Sequence, residues 1–418
     1  MRRALYLSSV FEPDFTLAVG GNFWRMRLFL DALRRCFDAV DVLCFASPKH
    51  DLAPASIAAV QASMHAAWGE GLTLSVAPRA PEPAYATAWE AYGAPALDLF
   101  QQMPYALLAG AAQLEAVRAA LARRPACVVA RRLPMAALFE RAAPSARPPL
   151  LFDVDDIEHL VLARSIAAPP HWPSKCLQYL RLPAVVGAEV RGLRRAAASF
   201  VCSELDRRRL ARWPGGERVQ VVSNAVPLAA ATSPPSDPQA PTLLLLGNLG
   251  YAPNAAAAER LVAGIWPRVR ARLPHATLVI AGNGADPQCA RAWAQVRGVE
   301  VTGFVADLDA LYARSTVVCC PLTVGGGTRV KLIEAAGYGK AMVATAIGAE
   351  GLAFRDGHDI VIADDDAAFA DACVALLGDA GRRARLGRTA RATAEREYDR
   401  EAIVARLAGQ IEHALATR

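Results

Sequence analysis

The stretch PLTVGGGTRVKLIEAAGYGKAMVATAIGAEGL (Pro321–Leu352) decides how this chain folds. A strand is predicted to end at Pro321, and a helix is predicted to begin near Val330. Between them lie the three consecutive glycines Gly325–Gly327. Glycine lets a backbone approach a ligand closely, and the N-terminus of a helix attracts anions. The stretch therefore predicts an anion site where the helix begins.

Charged side chains lie at the same place. Thr328, Arg329 and Lys331 follow the glycines, and Glu334 comes one helical turn later. Two cations suit a phosphate, whereas a carboxylate suits the two hydroxyls of a ribose, so the set predicts a nucleoside diphosphate site. A glycine-rich turn with solvated cations, and a glutamate favoured by the helix dipole, stays open as the alternative. No GKS or GKT follows the glycines, so ATP hydrolysis is not predicted.

Along the whole chain, short apolar runs alternate with helical segments, and this alternation predicts parallel βαβ units. Seven runs precede the Pro-rich segment described next: Ala4–Val10, Asp38–Ser47, Thr73–Pro78, Ala126–Arg132, Leu150–Asp156, Ala198–Ser203 and Arg218–Asn224. Six follow it: Thr242–Asn248, Ala276–Gly282, Val299–Phe304, Thr316–Pro321, Ala341–Ala346 and Asp359–Ala363. The predicted fold class is α/β, with two doubly wound Rossmann-like domains facing a central cleft.

The segment PLAAATSPPSDPQAP is too rich in Pro, Ser and Ala to build a core, so it predicts a linker at residues 227–241. The N-terminal domain then spans residues 1–226 and the second domain residues 242–394. Residues 395–418 are predicted to form a C-terminal helix.

Composition excludes several classes of protein. The 418 residues are 54% hydrophobic and 21% charged, which is typical of a globular chain. The net charge of +6 is too small to predict a nucleic-acid groove. Nine cysteines without a CxxC pair indicate reduced thiols, and no His or Cys cluster has metal-site spacing. The apolar start is too short for a signal peptide, so we expect a cytoplasmic protein.

Three segments carry a resemblance to a known family. Pro321–Leu352, GNLGYAPNAAAAERL (Gly247–Leu261) and VTGFVADLDALYARSTVVCCPL (Val301–Leu322) resemble the C-terminal domain of retaining GT-B glycosyltransferases of the family 4 (glycosyl transferases group 1) type. The Gly20–Gly21 loop and the passage Ser203–Pro227 are similar to the N-terminal domain of that family. The resemblance implies that the second domain binds a sugar nucleotide, that the first binds the acceptor, and that the last helix crosses back to the first domain.

The family carries two glutamates eight positions apart. Glu334 matches the second, which the resemblance assigns to the ribose, whereas Gly326 stands in place of the first. The absent glutamate contacts the donor sugar in the family, so these contacts must differ here. The loop GNLGYAPN also lacks the cations that many members carry. We therefore predict that Arg329 and Lys331 supply the charge facing the diphosphate.

The resemblance assigns further residues to the donor. Gly20 and Gly21 are expected to face the diphosphate from the first domain after closure, and Arg25 follows one turn into the next helix. The complete predicted donor-binding set is Gly20, Gly21, Asn248, Asn254, Asn283, Gly303, Phe304, Gly325, Gly326, Gly327, Thr328 and Glu334.

The segment FDVDDIEH (Phe152–His159) admits more than one interpretation. Asp153 and Asp155 form a DxD, which binds a divalent metal in glycosyltransferases of the GT-A fold. The resemblance instead assigns Asp155, Asp156 and His159 to the acceptor or the donor sugar. Capping of a helix by acidic residues is a third interpretation.

The predicted activity is transfer of a hexosyl group from a nucleotide-diphosphate sugar to a hydroxyl of a saccharide or lipid-linked saccharide, with retention and without metal or other cofactor. The predicted catalytic residues are Arg329, Lys331, His159 and Asp155. Three alternatives stay open: a catalytically weak sugar-nucleotide-binding subunit, another GT-B enzyme such as an epimerase or inverting transferase, and a metal-dependent GT-A enzyme. No nucleic-acid partner is expected, and weak peripheral contact with the inner face of the cell membrane stays open.

Overall fold

The computed structural model describes residues 2–16, 20–84, 87, 89–143, 147–229 and 241–417. The chain divides into two compact units. Unit 1 comprises Met1–Ser223 together with Glu401–Arg418, and unit 2 comprises Asn224–Arg400. Most of the predicted linker, residues 230–240, lies outside the described residues.

Unit 1 is built on a seven-stranded parallel sheet with the order β3-β2-β1-β4-β5-β6-β7. The strands are β1 (Arg3–Ser8), β2 (Ala39–Ala46), β3 (Leu72–Pro78), β4 (Cys127–Arg131), β5 (Leu150–Asp155), β6 (Ala198–Val201) and β7 (Val219–Val221). All eight residues of β2 are buried, as expected for a parallel strand covered on both faces. The seven predicted strands of this half are confirmed.

Helices cover the sheet of unit 1. They are α1 (Gly21–Cys36), α2 (Pro54–Trp68), α3 (Ala94–Leu97), α4 (Ala111–Ala122), α5 (Arg132–Ala142), α6 (Glu158–Ala167), α7 (Leu182–Arg195) and α8 (Glu204–Leu210). Their apolar faces contribute to the core beside the strands, for example through Met135 and Leu138 of α5 and Leu193 of α7. In such βαβ units the helix that follows a strand begins near the carboxyl edge of the sheet.

Unit 2 has a six-stranded parallel sheet with the order β10-β9-β8-β11-β12-β13. The strands are β8 (Thr242–Leu246), β9 (Thr277–Ala281), β10 (Val299–Gly303), β11 (Val317–Cys320), β12 (Ala341–Ala344) and β13 (Val361–Ile362). The order reverses between β8 and β11, and ligands of such sheets bind beyond the carboxyl ends of the strands at this switch point. All six predicted strands of this half are confirmed.

The helices of unit 2 connect these strands or, as α15 and α16 do, follow the last of them. They are α9 (Ala252–Arg260), α10 (Trp266–Arg272), α11 (Pro287–Gln295), α12 (Leu308–Arg314), α13 (Val330–Gly337), α14 (Ala346–Ala349), α15 (Asp366–Gly378) and α16 (Ala380–Glu397). The helix predicted to begin near Val330 does begin there. The fully buried Trp266 and Phe369 are among the largest side chains of its core.

The last helix, α17 (Arg400–Ala416), packs in unit 1. Its buried face includes Ile403, Leu407 and Ile411. The structure separates α17 from α16 at Tyr398 and Asp399, so the helix expected from residue 395 begins five residues later.

All nine cysteines are free thiols, as the sequence indicates. Within the described residues, no helix combines the length and apolar character that crossing a bilayer requires.

Candidate functional site

The site of unit 2 forms at its topological switch point, where β8 and β11 lie side by side. The loop after β8 leads into α9, and the glycine loop after β11 leads into α13. Parallel strands end at one edge of the sheet, so these two loops and the N-terminus of α13 meet there. The diphosphate residues predicted in unit 2 lie on these elements.

Lys331 connects the two loops. Its Nζ donates a hydrogen bond of 2.8 Å to Oδ1 of Asn254, whose Nδ2 donates to the carbonyl oxygen of Asn248 at 2.8 Å. A Cβ at Gly247 would lie 2.6 Å from Nζ, so glycine there lets the ammonium approach the backbone closely. Burial lowers the pKa of Lys331, and the charge of Arg329 acts in the same direction. The structure thus brings the predicted residues Asn248, Asn254 and Lys331 together.

Arg329 stands at the N-cap position of α13. Its Nη1 donates to the carbonyl oxygens of Gly326 and, at 2.8 Å, Gly327. Its Nε and Nη2 are buried and have no hydrogen-bond partner in the part of the chain that the structure describes. A buried donor without an acceptor is costly, because it has lost its water without replacing it. The guanidinium therefore has free donors for an anion.

The surroundings of Arg329 favour negative charge. The first turn of α13 contains no acidic residue and no side chain caps its N–H groups. Thr328 is buried, and its Oγ1 accepts a hydrogen bond of 3.0 Å from Nδ2 of Asn224. Gly325 has a φ of +127°, and a Cβ there would lie 2.9 Å from Nη2 of Arg329. The loop conformation thus requires glycine and leaves room for the guanidinium.

Glu334 lies one turn into α13 and is half-buried. The hydroxyl of Tyr312 donates a hydrogen bond of 3.0 Å to Oε2 of this carboxylate. Burial raises the pKa of Glu334, and the hydrogen bond from Tyr312 offsets part of the rise. Tyr312 stacks on Tyr338, with ring centroids 4.2 Å apart and planes inclined by 17°. The carboxylate is therefore held at one oxygen while the other has no hydrogen bond to the described residues.

Neither tyrosine was predicted from the sequence. Tyr312 is 22 residues from Glu334, and no local pattern connects them. Tyr338 is four residues after Glu334 on the same helix face, which is the one signal that was available.

The remaining donor-site predictions in unit 2 fall on the neighbouring loops. Asn283 follows β9, and its carbonyl oxygen accepts a hydrogen bond of 2.7 Å from the backbone of Leu249. Gly303 ends β10 with a φ of +67°, and Phe304 after it is exposed. Among the described residues, the side chains of Asn283 and Phe304 form no hydrogen bond or ring contact with those around Lys331 and Glu334. Their assignment to the donor stays a prediction.

The DxD of unit 1 forms two buried ion pairs. Asp153 pairs with Arg25 at 2.7 Å, and both side chains are fully buried. Asp155, in left-handed backbone conformation with a φ of 58°, pairs with Arg131 at 2.8 Å. With both carboxylates held by arginines, the metal-binding alternative has no support from the geometry. Within the described residues, no three His, Cys, Asp or Glu side chains come together as a metal site.

The predicted catalytic role of Asp155 lacks support for the same reason. Although burial acts to raise its pKa, the charges of Arg131 and Arg25 outweigh that effect, and the pKa lies below its usual range. Cys202 also contacts its Oδ1 at 3.2 Å. The ion pair links Asp155 at the end of β5 to Arg131 at the end of β4. The capping alternative is not observed, because Ile157 stands at the N-cap of α6.

His159 lies at the start of α6 and is held on two sides. Its Nδ1 is 2.6 Å from Oε2 of the buried Glu189, and its ring stacks on Trp213 with centroids 4.9 Å apart. Asp156 pairs with Arg132 at 2.8 Å. Glu189 and Trp213 were not predicted, since they come from α7 and the loop after α8.

Gly20 and Gly21 begin α1 and are exposed. Gly20 has a φ of +104°, and its carbonyl oxygen accepts a hydrogen bond of 3.0 Å from the backbone of Trp24. Arg25 points into the interior to Asp153 and therefore has a structural role. The diphosphate contact of the two glycines stays a prediction.

Known proteins match both the sequence and the fold. Residues 240–379 match the family described as Glycosyl transferases group 1, and they therefore form a domain of that type. No curated protein matches the chain.

Several solved structures have the same fold at low sequence identity. Sucrose-phosphate synthase from Thermosynechococcus elongatus is 17% identical with a TM-score of 0.71, and all of both chains is covered. HepE from Anabaena, solved with UDP and glucose, is 16% identical with a TM-score of 0.66, covering 99% of this chain and 100% of that one. WaaG, a glycosyltransferase involved in lipopolysaccharide biosynthesis, is 14% identical with a TM-score of 0.61. The match covers 97% of this chain and 98% of that one. The predicted fold class, two Rossmann-like domains of the GT-B type, is confirmed.

Proposed function

We propose that this chain transfers a sugar from a nucleotide-diphosphate sugar to a hydroxyl group, with retention of configuration at the anomeric carbon. The observation that carries the proposal is Arg329, whose two buried, unpartnered nitrogens stand at the N-terminus of α13. The match of residues 240–379 to Glycosyl transferases group 1 supports the reaction class.

The diphosphate fits the charges of this site. Arg329 offers N–H donors in a planar fork that matches phosphate oxygens, and Lys331 adds a second cation within the same helical turn. Breaking the bond between sugar and phosphate leaves a growing negative charge on the diphosphate. Fixed donors aimed at such a charge typically contribute ~10²–10³-fold in rate. Because burial lowers the pKa of Lys331, a bound diphosphate also stabilises its charged form.

The ribose fits Glu334. One of its oxygens accepts from Tyr312, so the carboxylate is fixed in direction, and the other is available to hydroxyl groups. HepE was solved with UDP and with UDP-glucose. We therefore take UDP-glucose as the first donor to test.

In the proposed step, the bond between the anomeric carbon and the leaving phosphate oxygen breaks. The acceptor oxygen forms its bond to the same face of the sugar, and the proton of the acceptor hydroxyl passes to the leaving phosphate. No side chain forms a covalent intermediate, and neither a metal nor another cofactor takes part. Arg329 and Lys331 neutralise the diphosphate. His159, oriented by Glu189, is proposed to contact the acceptor or the donor sugar.

Product stereochemistry tests the proposal. Purified protein is incubated with UDP-glucose, GDP-mannose and ADP-glucose and with saccharide acceptors, and the anomeric proton of the first product is followed by NMR. We expect an α-linked product from an α-linked donor. An initial β-linked product indicates an inverting transferase and contradicts retention, and an epimerised nucleotide sugar contradicts transfer.

A second function is favoured by one observation. Gly326 occupies the position at which the resembling family has its first glutamate, and a glycine cannot make the side-chain contact to the donor sugar that this glutamate makes in that family. A catalytically weak sugar-nucleotide-binding subunit would bind UDP with normal affinity but release neither free sugar nor product. Transfer or donor hydrolysis by the purified chain alone excludes this alternative.

A further inference from the structure

Unit 2 begins at Asn224, and the segment of residues 224–229 lies along α13. At one end the segment contacts the loop before this helix, and at the other it contacts the last residue of the helix. Helix α13 has 8 residues and is therefore about 12 Å long. An extended chain covers ~3.3 Å per residue, so the segment is long enough to follow the helix from end to end.

The far end of this segment is fixed on α13. A Cβ at Gly337, the last residue of the helix, would lie 3.0 Å from Cδ2 of Leu228, so the leucine packs closely there. Arg391 of α16 donates from its Nη1 to the carbonyl oxygens of Gly337 and, at 2.7 Å, Ala229. One guanidinium thus joins the segment to the C-terminus of α13.

The near end of the segment presents the amide of Asn224. Ala225 and Val226, which follow it, are buried, so packing fixes the backbone at this point. The Asn224 side chain is buried as well, and its Nδ2 donates to Oγ1 of Thr328 at 3.0 Å. The amide is therefore a fixed donor directed at the glycine loop.

The glycine loop needs such an anchor. Gly325 has a φ of +127° and Gly327 a φ of +65°, a region that is open to glycine and costly for other residues. The same backbone freedom gives the loop many other conformations when nothing restrains it. Thr328 stands between Gly327 and Arg329. A hydrogen bond to its side chain therefore restrains the loop directly before α13.

The direction of the Arg329 guanidinium follows the loop backbone. Its Nη1 donates to the carbonyl oxygens of Gly326 and Gly327, which immediately precede Thr328. Rotation of these peptide groups would move the guanidinium with them. The conformation of the loop thus determines where the buried, unpartnered Nε and Nη2 of Arg329 point.

We propose that Asn224 is a positioning residue for the diphosphate. Acting through Thr328, its amide holds the glycine loop in the conformation that directs Arg329 at the leaving phosphate. The inference rests on the proposed function and adds to it a residue outside the loop and the helix. Because the loop is ordered before the donor arrives, less of the binding free energy is lost in ordering it.

A purely structural role is the alternative. In that case the hydrogen bond stabilises unit 2 as a whole, and its loss does not depend on whether Arg329 is present. A positioning role makes the opposite prediction, because residues that act through one another have effects that do not add.

Titration calorimetry with UDP in a double-mutant cycle tests the proposal. Asn224→Ala is expected to weaken the binding of UDP ~3–10-fold, the scale of one hydrogen bond. In the Arg329→Ala background the same change is expected to weaken binding by less than about twofold, because the residue through which Asn224 acts is absent. Equal factors in the two backgrounds, or unchanged affinity in Asn224→Ala, overturn the positioning role.

The matched control is Gln113→Ala, which removes a buried amide from α4 in unit 1. The Nε2 of Gln113 donates to the carbonyl oxygen of Pro78 at 2.8 Å, a hydrogen bond comparable with that of Asn224. We expect this variant to lose stability but to bind UDP like the unaltered chain. A loss of UDP affinity equal to that of Asn224→Ala assigns the effect to stability and overturns the proposal.

Hydrogen exchange separates this inference from the proposed function, because it needs no nucleotide. The backbone N–H of Leu332 donates to the carbonyl oxygen of Arg329 at 2.9 Å in the first turn of α13. In Asn224→Ala this turn is expected to open more often, so that its amides exchange ~3–10-fold faster. Unchanged exchange overturns the inference even if the chain binds UDP. Faster exchange in a chain that binds neither UDP, GDP nor ADP contradicts the proposed function and supports the restraint of the loop by Asn224.

A second variant covers the case in which Asn224→Ala fails to fold. Thr328→Val removes the acceptor of the same hydrogen bond and keeps the shape of the side chain. Exchange at the start of α13 is expected to accelerate by a similar factor in this variant. Exchange at the original rate in Thr328→Val overturns the proposal.

Discussion

Tyr312 donates a hydrogen bond of 3.0 Å to Oε2 of Glu334. The tyrosine is buried on α12 and stacks on Tyr338, so the direction of its hydroxyl is fixed by packing. A fixed donor at one carboxylate oxygen orients the other. Tyr312 is therefore a positioning residue for the proposed ribose contact.

Removal of this hydroxyl is the first prediction. Tyr312→Phe keeps the ring stack but frees the carboxylate, and we expect the KM for the donor to rise ~3–10-fold with kcat little changed, the scale of one hydrogen bond. Steady-state kinetics with the donor varied is the measurement. Tyr338→Phe, which loses only a hydrogen bond to the exposed Asp309, serves as the control. A change confined to kcat would contradict the positioning role.

Binding of the nucleotide should depend on pH through Glu334. Ribose hydroxyls donate to the ionised carboxylate, and burial raises the pKa of this group. The affinity for the nucleotide is therefore expected to be full at neutral pH and to fall as the pH drops through that raised pKa. The fall should occur at a higher pH than for a glutamate with the usual pKa. Titration calorimetry with UDP across mildly acidic pH measures this. The Glu334→Gln variant should bind UDP weakly, and its affinity should depend little on pH. If the Glu334→Ala variant binds UDP, GDP and ADP with unchanged affinity, the ribose role is refuted.

The two cations at α13 should act mainly on turnover. Arg329→Ala and Lys331→Ala are each expected to lower kcat by ~10²-fold or more with the donor saturating, because each removes a contact to the leaving charge. Arg314→Ala removes an exposed arginine that pairs with Glu300 in the same unit and is the matched control. Turnover near the original value in both site variants would remove the basis of the proposed function.

Activity without divalent metal is expected. The diphosphate is neutralised by Arg329, Lys331 and the helix N-terminus in the proposed site, and the carboxylates of the DxD are paired with arginines. Transfer rates measured in EDTA and with added Mg²⁺ or Mn²⁺ should agree within about twofold. A rate that vanishes in EDTA and returns with Mn²⁺ would favour a metal-dependent enzyme.

Breaking the buried ion pair between Arg25 and Asp153 should strongly destabilise unit 1. Asp153→Asn leaves a buried guanidinium without its counter-charge, which is expected to cost about 3–5 kcal/mol in the free energy of unfolding. Arg35→Ala breaks an exposed pair with Glu401 and should cost no more than ~1 kcal/mol. Urea unfolding followed by circular dichroism compares the two variants. Equal free energies of unfolding for the two variants would show that the buried pair matters no more than the exposed one.

The strands were predictable because parallel strands covered on both faces are short continuous apolar runs. The start of α13 was predictable as well, since the glycines before Val330 mark it locally. The contacts of the site were not local. Lys331 and Asn254 are 77 residues apart and meet only because β8 and β11 are neighbours.

The DxD motif alone does not reveal which partners its carboxylates have in the fold. Three adjacent residues predict two available carboxylates, yet the partner of Asp153 lies 128 residues away and that of Asp155 lies 24 residues away. Arg25 looked like a helix residue near the glycines and Arg131 like the end of a strand. Only the packing of β1, β4 and β5 brings these arginines to the acidic segment.

Helix α17 makes unit 1 discontinuous in the chain, because Glu401–Arg418 joins Met1–Ser223. During translation the ribosome completes every strand of both sheets before it makes α17. The apolar surface that α17 covers thus stays uncovered while some 180 further residues are synthesised, a time of ~10–40 s at typical elongation rates. Over that interval the nascent first unit exposes this apolar surface to solvent and to other chains, and a synonymous change that slows elongation in the second unit lengthens the exposure.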